Sequence, residues 1–398
     1  MKIVYIVSKI IKVFRSRRDL GIIKNLKGGI WDLPSPKKIS YWWGWGSLLG
    51  LFLVIQILTG LFLAMHYISD IRLAFSSVKS INRDIGRGWL IRKIHAKGAS
   101  GFFILLYLHI GRSIYYGAYV NHLTWKIGIL VYIVSMGTAF LGYVLPWGQM
   151  SYWGATVITN FASTVPYIGK GLVEWIWGGF AVRGPTLTRF FTLHYLLPFI
   201  IIILVVFHLV FLHDVGSKNP LGVERGGDKI LFHPYFTVKD VVGFLLGLGG
   251  FFFIVLSIPD YLGDPENYLE SNPLVTPIHI QPEWYFLPAY AILRAIPNKL
   301  GGVIALLLSI LALYLVPFFR NSFSSSVQSQ IRFWGFVVNI MILLWLGSNP
   351  IEAPYIWVRV CCTISYFLFF FYALYSKKKA FFLRIQAYFF FCISVWGQ

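Results

Sequence analysis

The sequence is dominated by apolar stretches long enough to cross a membrane. About eight of them recur, each near the length that a helix needs to span the ~30 Å hydrocarbon layer. They cover 47–66, 99–117, 127–146, 193–213, 241–259, 302–319, 333–347 and 358–375. Because lipid satisfies no backbone polar group, they predict an all-α, polytopic membrane bundle of about eight helices. A ninth stretch, 380–396, is interrupted by Arg384 and Gln386. Three interpretations of it remain: a poor span, an interfacial helix, or a tail covered by a partner.

Composition and charge agree with a membrane location. Hydrophobic residues make up 57% of the 398 residues, charged residues only 13%, and the formal net charge is +20. With the N-terminus on the side of insertion, most of the 35 Lys and Arg lie on that side, as the positive-inside rule requires. The basic excess therefore indicates orientation in membrane lipid, and no nucleic-acid partner is expected.

Four segments are expected along the chain. They are a basic amphipathic N-terminus (1–44), a four-helix bundle (45–220), C-terminal helices with a long outer loop (221–376) and a tail (377–398). The alternation of basic and apolar residues at the start favours an interfacial helix, with a cleaved transit peptide as the alternative. Two long outer connections, near 148–190 and 260–300, indicate a site roofed by protein.

Four histidines form two pairs with the same spacing. His95 and His109 are fourteen positions apart on the second predicted span, and His194 and His208 are equally far apart on the fourth. Fourteen positions make about four helical turns, so both members of a pair face the same way, about 21 Å apart. Since both spans run in the same direction, His95 is expected to face His194, and His109 to face His208. Two stacked bis-imidazole sites fit two hemes inside a bundle.

Glycines repeat this spacing on the first and third spans. Gly46 and Gly60 are separated by the same fourteen positions, and so are Gly128 and Gly142. Glycine weakens a helix, but it lets the backbone approach a flat macrocycle closely. Ordinary small-residue helix packing is the alternative explanation.

Two arginines lie close to the histidines. Arg92 precedes His95 by one helical turn, and Arg112 follows His109 by one turn. Each is placed either to meet heme propionates near a membrane face or to snorkel toward the membrane surface.

The cysteines limit the redox centres of this chain. Only Cys361, Cys362 and Cys392 occur, and no Cys-x-x-Cys-His is present. Covalent c-type heme attachment and a protein-held iron–sulfur cluster are thereby excluded from the chain.

Several motifs resemble cytochrome b of the respiratory cytochrome bc complexes, from about Trp31 to Tyr375. They are WGSLLG (45–50), HAKGAS (95–100), GYVLPWGQMS (142–151), WGATVITN (153–160), PEWY (282–285) and ILRAIPNK (292–299). The resemblance implies a diheme subunit of a ubiquinol:cytochrome c oxidoreductase. Such a subunit oxidises quinol at an outer site, passes electrons across two b hemes and reduces quinone at an inner site, coupled to proton translocation.

The same resemblance assigns the heme ligands. His95 and His194 would ligate the low-potential heme toward the outer side. His109 and His208 would ligate the high-potential heme toward the inner side.

It also implies two quinone sites. Residues expected at the outer site are Glu283, as a proton acceptor, with Tyr285, Tyr143, Tyr290 and Gly154. Residues expected at the inner site are His213 and Asp240, to hydrogen-bond and protonate quinone, with Ser217 and Lys239 nearby.

The partners implied are a Rieske iron–sulfur subunit, a cytochrome c-type subunit and further complex III subunits, in a homodimeric complex. A fused chain and the histidine spacing favour the respiratory type over the photosynthetic relatives. The abundance of Phe (35) and Tyr (23) suits an organellar gene, so the expected location is the mitochondrial inner membrane with the N-terminus in the matrix. A bacterial cytoplasmic membrane is the alternative location. The N-terminal segment and the C-terminal tail are longer than the family pattern, and the connection at 320–332 is short.

Two other functions remain open at this point. One is a diheme membrane anchor of a dehydrogenase, which lacks the second quinone site and against which PEWY argues. The other is a heme-free transporter that uses intramembrane histidines as proton relays.

Overall fold

The structure is a computed structural model that describes residues 31–220, 228–319, 323 and 326–375. Helices make up almost all of the regular structure in these residues, so the all-α prediction is confirmed. They are α1 (Trp45–Ala64), α2 (Ala74–Arg83), α3 (Gly88–Tyr115), α4 (His122–Val144), α5 (Gln149–Thr159), α6 (Gly169–Trp177), α7 (Gly184–Val215), α8 (Tyr235–Ser257), α9 (Leu287–Arg294), α10 (Lys299–Leu311), α11 (Val327–Ser348) and α12 (Tyr355–Tyr375). Most of the predicted N-terminal amphipathic segment and the stretch 380–396 lie outside the described residues.

Within the described part of the chain, seven helices are long and apolar enough to cross a membrane. They are α1 extended back to Tyr41, α4, α7, α8, α10 extended by a 3-10 turn to Phe318, α11 and α12. The remaining predicted span, 99–117, falls in α3, which has 28 residues. The α3 helix is less apolar than the seven, because it carries Arg92, Lys93 and Lys97 near one end and Arg112 near the other.

The N-terminal half consists of two helix pairs. α3 packs along α1, and α7 packs along α4. α8 lies against α1 and α3. The side chain of Asn121 ties the second pair together, since it caps the start of α4 by accepting from the N–H of Thr124 and donates to the carbonyl of Phe211 on α7 (2.8 Å).

The α7 helix keeps its length despite two prolines. One lies in its first turn, where the missing N–H costs little, and Pro198 lies inside the helix. Pro198 has no N–H to bond the carbonyl of His194, one turn earlier, so the helix is locally weakened beside that histidine.

An aromatic core joins the PEWY segment to the bundle. The rings of Phe103 and Tyr285 stack with centroids 4.2 Å apart and planes 4° apart. The Tyr107 hydroxyl donates to the carbonyl of Tyr285, and the indole N–H of Trp284 donates to Ser100 Oγ (3.0 Å). The outer loop is therefore held against α3, the helix that carries His95 and His109.

A short two-stranded sheet closes the opposite end. β1 (Pro34–Pro36) pairs antiparallel with β2 (Lys229–Leu231). The sheet joins the segment before α1 to the connection between α7 and α8, beside the predicted inner-site residues.

Candidate functional site: two facing histidine pairs

The first pair brings the imidazole of His95 opposite that of His194. Their ring centroids are 6.1 Å apart with planes at 89°. His194 Nδ1 lies 2.8 Å from the carbonyl of Thr138, which only accepts, so this nitrogen carries the proton. The Thr59 hydroxyl donates to the carbonyl of Ile55 (2.6 Å) and accepts from His95 Nδ1 (3.0 Å). Both imidazoles therefore keep an unprotonated Nε2, the form that binds a metal.

The second pair brings His109 and His208 together, with centroids 6.3 Å apart and planes at 61°. His208 Nδ1 donates to the carbonyl of Thr124 (2.9 Å), as in the first pair. His109 differs, because Arg112 Nη2 lies 3.3 Å from its Nδ1 and a guanidinium only donates. If Nε2 of His109 bound a metal, Nδ1 would carry the proton. Nδ1 could then no longer accept from the Arg112 guanidinium, so Arg112 would have to turn away.

Both separations fit a metal held between two imidazoles. An imidazole nitrogen binds a first-row metal at about 2 Å, and the ring centre lies about 1 Å beyond it, which gives about 6 Å between centroids. Two protein ligands are fewer than a bare structural ion needs, so each pair suits a metal whose other ligands come from a macrocycle.

Four glycines face the four imidazoles. A Cβ on any of these glycines would meet Cε1 of the histidine opposite, so the missing side chain makes room for the ring rather than directly for a macrocycle. The distances from an added Cβ are 3.0 Å for Gly60 and His95, 3.3 Å for Gly46 and His109, and 3.1 Å for Gly128 and His208, and Gly142 lies closer still to His194.

A cavity of about 320 Å³ opens around the first pair and has mostly apolar walls. Its lining includes Arg92, Gln56 and Ser135. Gln56 Nε2 and Ser135 Oγ are buried without a hydrogen-bond partner among the described residues. Buried polar atoms normally find a partner, so these two favour a ligand with polar groups in an otherwise apolar pocket, as a heme has. Arg92 and Tyr268 both line this cavity, and the guanidinium of Arg92 lies 5.9 Å from the centre of the Tyr268 ring.

A second, small cavity of about 20 Å³ lies beside the first. It brings together four of the five predicted outer-site residues, namely Tyr143, Gly154, Glu283 and Tyr290. Tyr285 is not among them: it lines the larger cavity, because its ring is stacked on Phe103. Glu283 lines both cavities.

Among the carboxyl groups of this outer region, Glu283 is the one whose pKa is raised. Burial raises the pKa of Glu283 to about 7, with Lys97 acting against that rise and Asp264 adding to it. A carboxyl with such a pKa changes its protonation state near neutral pH, as a proton acceptor must.

The predicted inner-site residues separate into two groups. Lys239 Nζ donates to the carbonyl of Ile39 (2.6 Å) and lies over the ring of Tyr41 (4.9 Å). Asp240 contacts Ser47. Among the described residues, no hydrogen bond or ring contact joins this group to His213 or Ser217, and His213 is exposed at the end of α7.

Sequence reasoning did not find the groups that orient the histidines. Thr124 and Thr138 supply the carbonyls that bind His208 and His194. Thr124 and Thr138 are fourteen positions apart on α4, the same spacing as the histidines. This repeat in the sequence could therefore have indicated both threonines. Thr59 and Gln56 carry no comparable pattern.

Comparisons with known proteins give one consistent result. Residues 30–216 match the family model for cytochrome b/b6/petB, and residues 270–367 match the model for the C-terminal part, cytochrome b(C-terminal)/b6/petD. The chain is 34% identical to a chain of a "Hyperthermophilic respiratory Complex III", with a TM-score of 0.84, over 90% of this chain and 97% of that one.

Proposed function

The chain belongs to the cytochrome b family, and on that premise we propose that it is the diheme cytochrome b subunit of a ubiquinol:cytochrome c oxidoreductase. The observation that carries the proposal is the arrangement of two facing histidine pairs on α3 and α7. Quinol is oxidised at the outer site, electrons cross the membrane, and quinone is reduced at the inner site with net proton translocation.

Each histidine pair would hold one b heme, and the bound hemes supply one-electron chemistry at two depths. His95 and His194 hold the outer one, and His109 and His208 the inner one. The carbonyls of Thr124 and Thr138 orient two of these imidazoles. Arg92 and Arg112 would supply cations for the propionates, Arg112 after turning away from His109.

At the outer site, Glu283 accepts a quinol proton. Its place on the wall shared by the two cavities lets it exchange that proton away from the quinol. A cavity of about 20 Å³ is far below the roughly 300–1,000 Å³ typical of ligand pockets, so quinol entry requires its walls to move. Tyr143, Tyr290 and Gly154 form those walls, and Tyr285 holds the loop against α3.

At the inner site, Asp240 and His213 hydrogen-bond and protonate quinone. Lys239 fixes the segment before α1 beside Asp240, and Ser217 follows the end of α7. Because no hydrogen bond or ring contact joins the two groups in the described part of the chain, quinone itself would bridge them.

The chain requires partners to complete the reaction. We propose a Rieske iron–sulfur subunit and a cytochrome c-type subunit, since this sequence has no ligands for either centre, together with further complex III subunits in a homodimer. Large apolar side chains on the outer connections support a covering partner, namely Tyr167, Phe180, Leu274 and Ile278, all strongly exposed.

We place this multi-pass protein in the mitochondrial inner membrane with its N-terminus in the matrix, or else in a bacterial cytoplasmic membrane. The Phe- and Tyr-rich composition supports an organellar gene. Sequencing the locus decides this, because a chromosomal bacterial gene would overturn the mitochondrial assignment.

The proposed reaction is tested with membranes that contain the assembled complex. Quinol should reduce added cytochrome c, and inhibitors of quinol oxidation should abolish that activity. Absence of quinol-dependent cytochrome c reduction in a complex with its partner subunits would contradict the proposal.

Gly142→Ala should damage the outer heme site selectively. The added methyl group would overlap the imidazole of His194, and overpacking of a tight site typically costs about 1–3 kcal/mol. We expect the affinity of the outer site for its heme to fall roughly tenfold. Optical spectra would then show less of the outer b-type component. Gly137→Ala on the same helix is the control, since its Cβ meets nothing within 4 Å. Equal spectra for the two variants would refute the clash.

Gly154→Ala should weaken outer-site inhibitors more than turnover. Its Cβ meets no protein atom within 4 Å, so the methyl group enters the small cavity without straining the fold. We expect inhibitor affinity to fall about tenfold and turnover less than about twofold, as for one methylene in a tight pocket. Gly171→Ala, equally unhindered and outside the cavity lining, should behave as wild type. An unchanged inhibition curve for Gly154→Ala would place Gly154 outside the quinol pocket.

A further inference from the structure

The C-terminal end of α11 is held by an arginine from another helix. Among the residues that the structure describes, Arg359 of α12 is the one charged side chain that is buried, with no exposed surface. Its Nη2 donates to the carbonyls of Leu346 (2.9 Å), Asn349 (3.2 Å) and Pro350 (3.2 Å). The last carbonyls of a helix lack intrahelical donors and carry partial negative charge, so they compensate a buried cation.

A second arginine binds the same helix end. Arg294, the last residue of α9, donates from Nη1 to the carbonyls of Gly347 (3.2 Å) and Asn349 (3.1 Å). Arg294 and Arg359 therefore share the Asn349 carbonyl. We call Arg294, Arg359 and the carbonyls that they bind the arginine clasp. It fixes α9 on α11, where a side chain at Gly347 would strike the carbonyl of Leu287.

The clasp continues into the outer cavity. The guanidinium of Arg294 lies over the ring of Tyr290 (5.1 Å), and the Tyr290 hydroxyl donates to the carbonyl of Ile280 (3.2 Å). Tyr290 and Ile280 both line the small cavity with Glu283. Burial raises the pKa of Tyr290, while the charges of Arg294 and Arg359 oppose that rise.

The segment before Glu283 has its own tie to the same helix end. His279 Nε2 donates to the carbonyl of Ser348 (3.2 Å). Movement of the carbonyls at the C-terminal end of α11 would therefore shift the cavity wall at Tyr290 and the loop that carries Glu283.

From these contacts we infer that Arg359 is a positioning residue for the outer quinol pocket. It acts through the shared Asn349 carbonyl and Arg294 on Tyr290 and does not itself touch quinol. The inference rests on the proposed function.

The test compares three variants in the assembled complex. Arg359→Met removes the buried donor that the carbonyls of Leu346, Asn349 and Pro350 share. It should raise the quinol KM and the half-inhibiting concentration of outer-site inhibitors about tenfold, the usual effect of losing a hydrogen bond to a charged group. Arg359→Lys keeps the charge and donors to these carbonyls, so it should restore most of the affinity. Thr363→Val, one turn further along α12, removes a buried hydroxyl that has no partner among the described residues and should match wild type.

Optical spectra of both hemes and inner-site heme reduction by quinol should stay normal in all three variants. Wild-type KM and inhibitor response in Arg359→Met would overturn the inference. If Arg359→Met does not assemble, Arg359→Gln must still raise the KM, and a wild-type value there would overturn the inference too. If the wild-type complex oxidises no quinol, the proposed function is refuted instead. If the wild-type complex turns over normally and the Arg359 variants have the same KM and inhibitor response, only the positioning role is refuted.

Discussion

His95→Ala should remove the outer b-type component and leave the inner one, while His208→Ala should do the reverse. Each substitution deletes one imidazole of a different facing pair, and the remaining histidine cannot hold the axial position alone. The two pairs are separated by about 21 Å along the helices, so damage at one should not reach the other. Redox titration of the b-type absorption in purified complex would show one component lost in each variant.

The control for these two variants is His66→Ala. His66 is exposed beyond the end of α1 and lies outside both pairs. It should retain both components at unchanged midpoint potentials. Retention of both components in His95→Ala or in His208→Ala would mean that the facing pairs are not the heme ligands.

Glu283→Gln should slow quinol oxidation at the outer site by a factor of about 10² to 10⁴, the usual contribution of a positioned general base. Glutamine keeps the shape and the hydrogen bonding of the side chain but cannot accept a proton. The pKa of Glu283 is raised to about 7 by burial, so the carboxyl is protonated, and unable to accept, below that pH. The wild-type rate should therefore fall as the pH drops through about 7, and the variant should lose this dependence.

The measurement is pre-steady-state reduction of the outer heme with the inner site blocked, across pH. Glu270→Gln is the control, because Glu270 is an exposed carboxylate in the same outer connection. Both variants should keep normal heme spectra and normal inner-site heme reduction. A wild-type rate and pH profile in Glu283→Gln would leave the loop only a structural role.

The bundle and its histidine pairs follow from periodicity. A repeat of about four helical turns puts two side chains on one helix face, and the same repeat on two parallel helices sets His95 opposite His194. The glycine repeat follows the same rule. The structure adds that each glycine faces an imidazole, a distinction that spacing alone cannot make.

Other features depend on contacts between distant segments and could not be read from the sequence. Tyr285 belongs to the same motif as Glu283, yet its ring packs on Phe103 and not in the small cavity. Arg112 meets His109 and Trp43, whose ring centre lies 5.4 Å away. The burial of Arg359 depends on the carbonyls at and just beyond the C-terminal end of α11. The position of Arg359 in an apolar stretch gives no sign of these carbonyls.

The composition of α3 explains why the span count is ambiguous. The helix that carries two of the four histidines also carries cations near both ends, so hydropathy excludes it from the seven apolar candidates. Polar and charged residues within a membrane-spanning helix lower its mean hydropathy, so such a helix is harder to recognise as a span.

The central claim is that this chain holds two b hemes between two pairs of histidines. A redox-titrated, reduced-minus-oxidised optical spectrum of the purified protein tests it most directly. We expect two b-type components of equal stoichiometry with separate midpoint potentials. A single component, or no heme absorption at all, would contradict the claim.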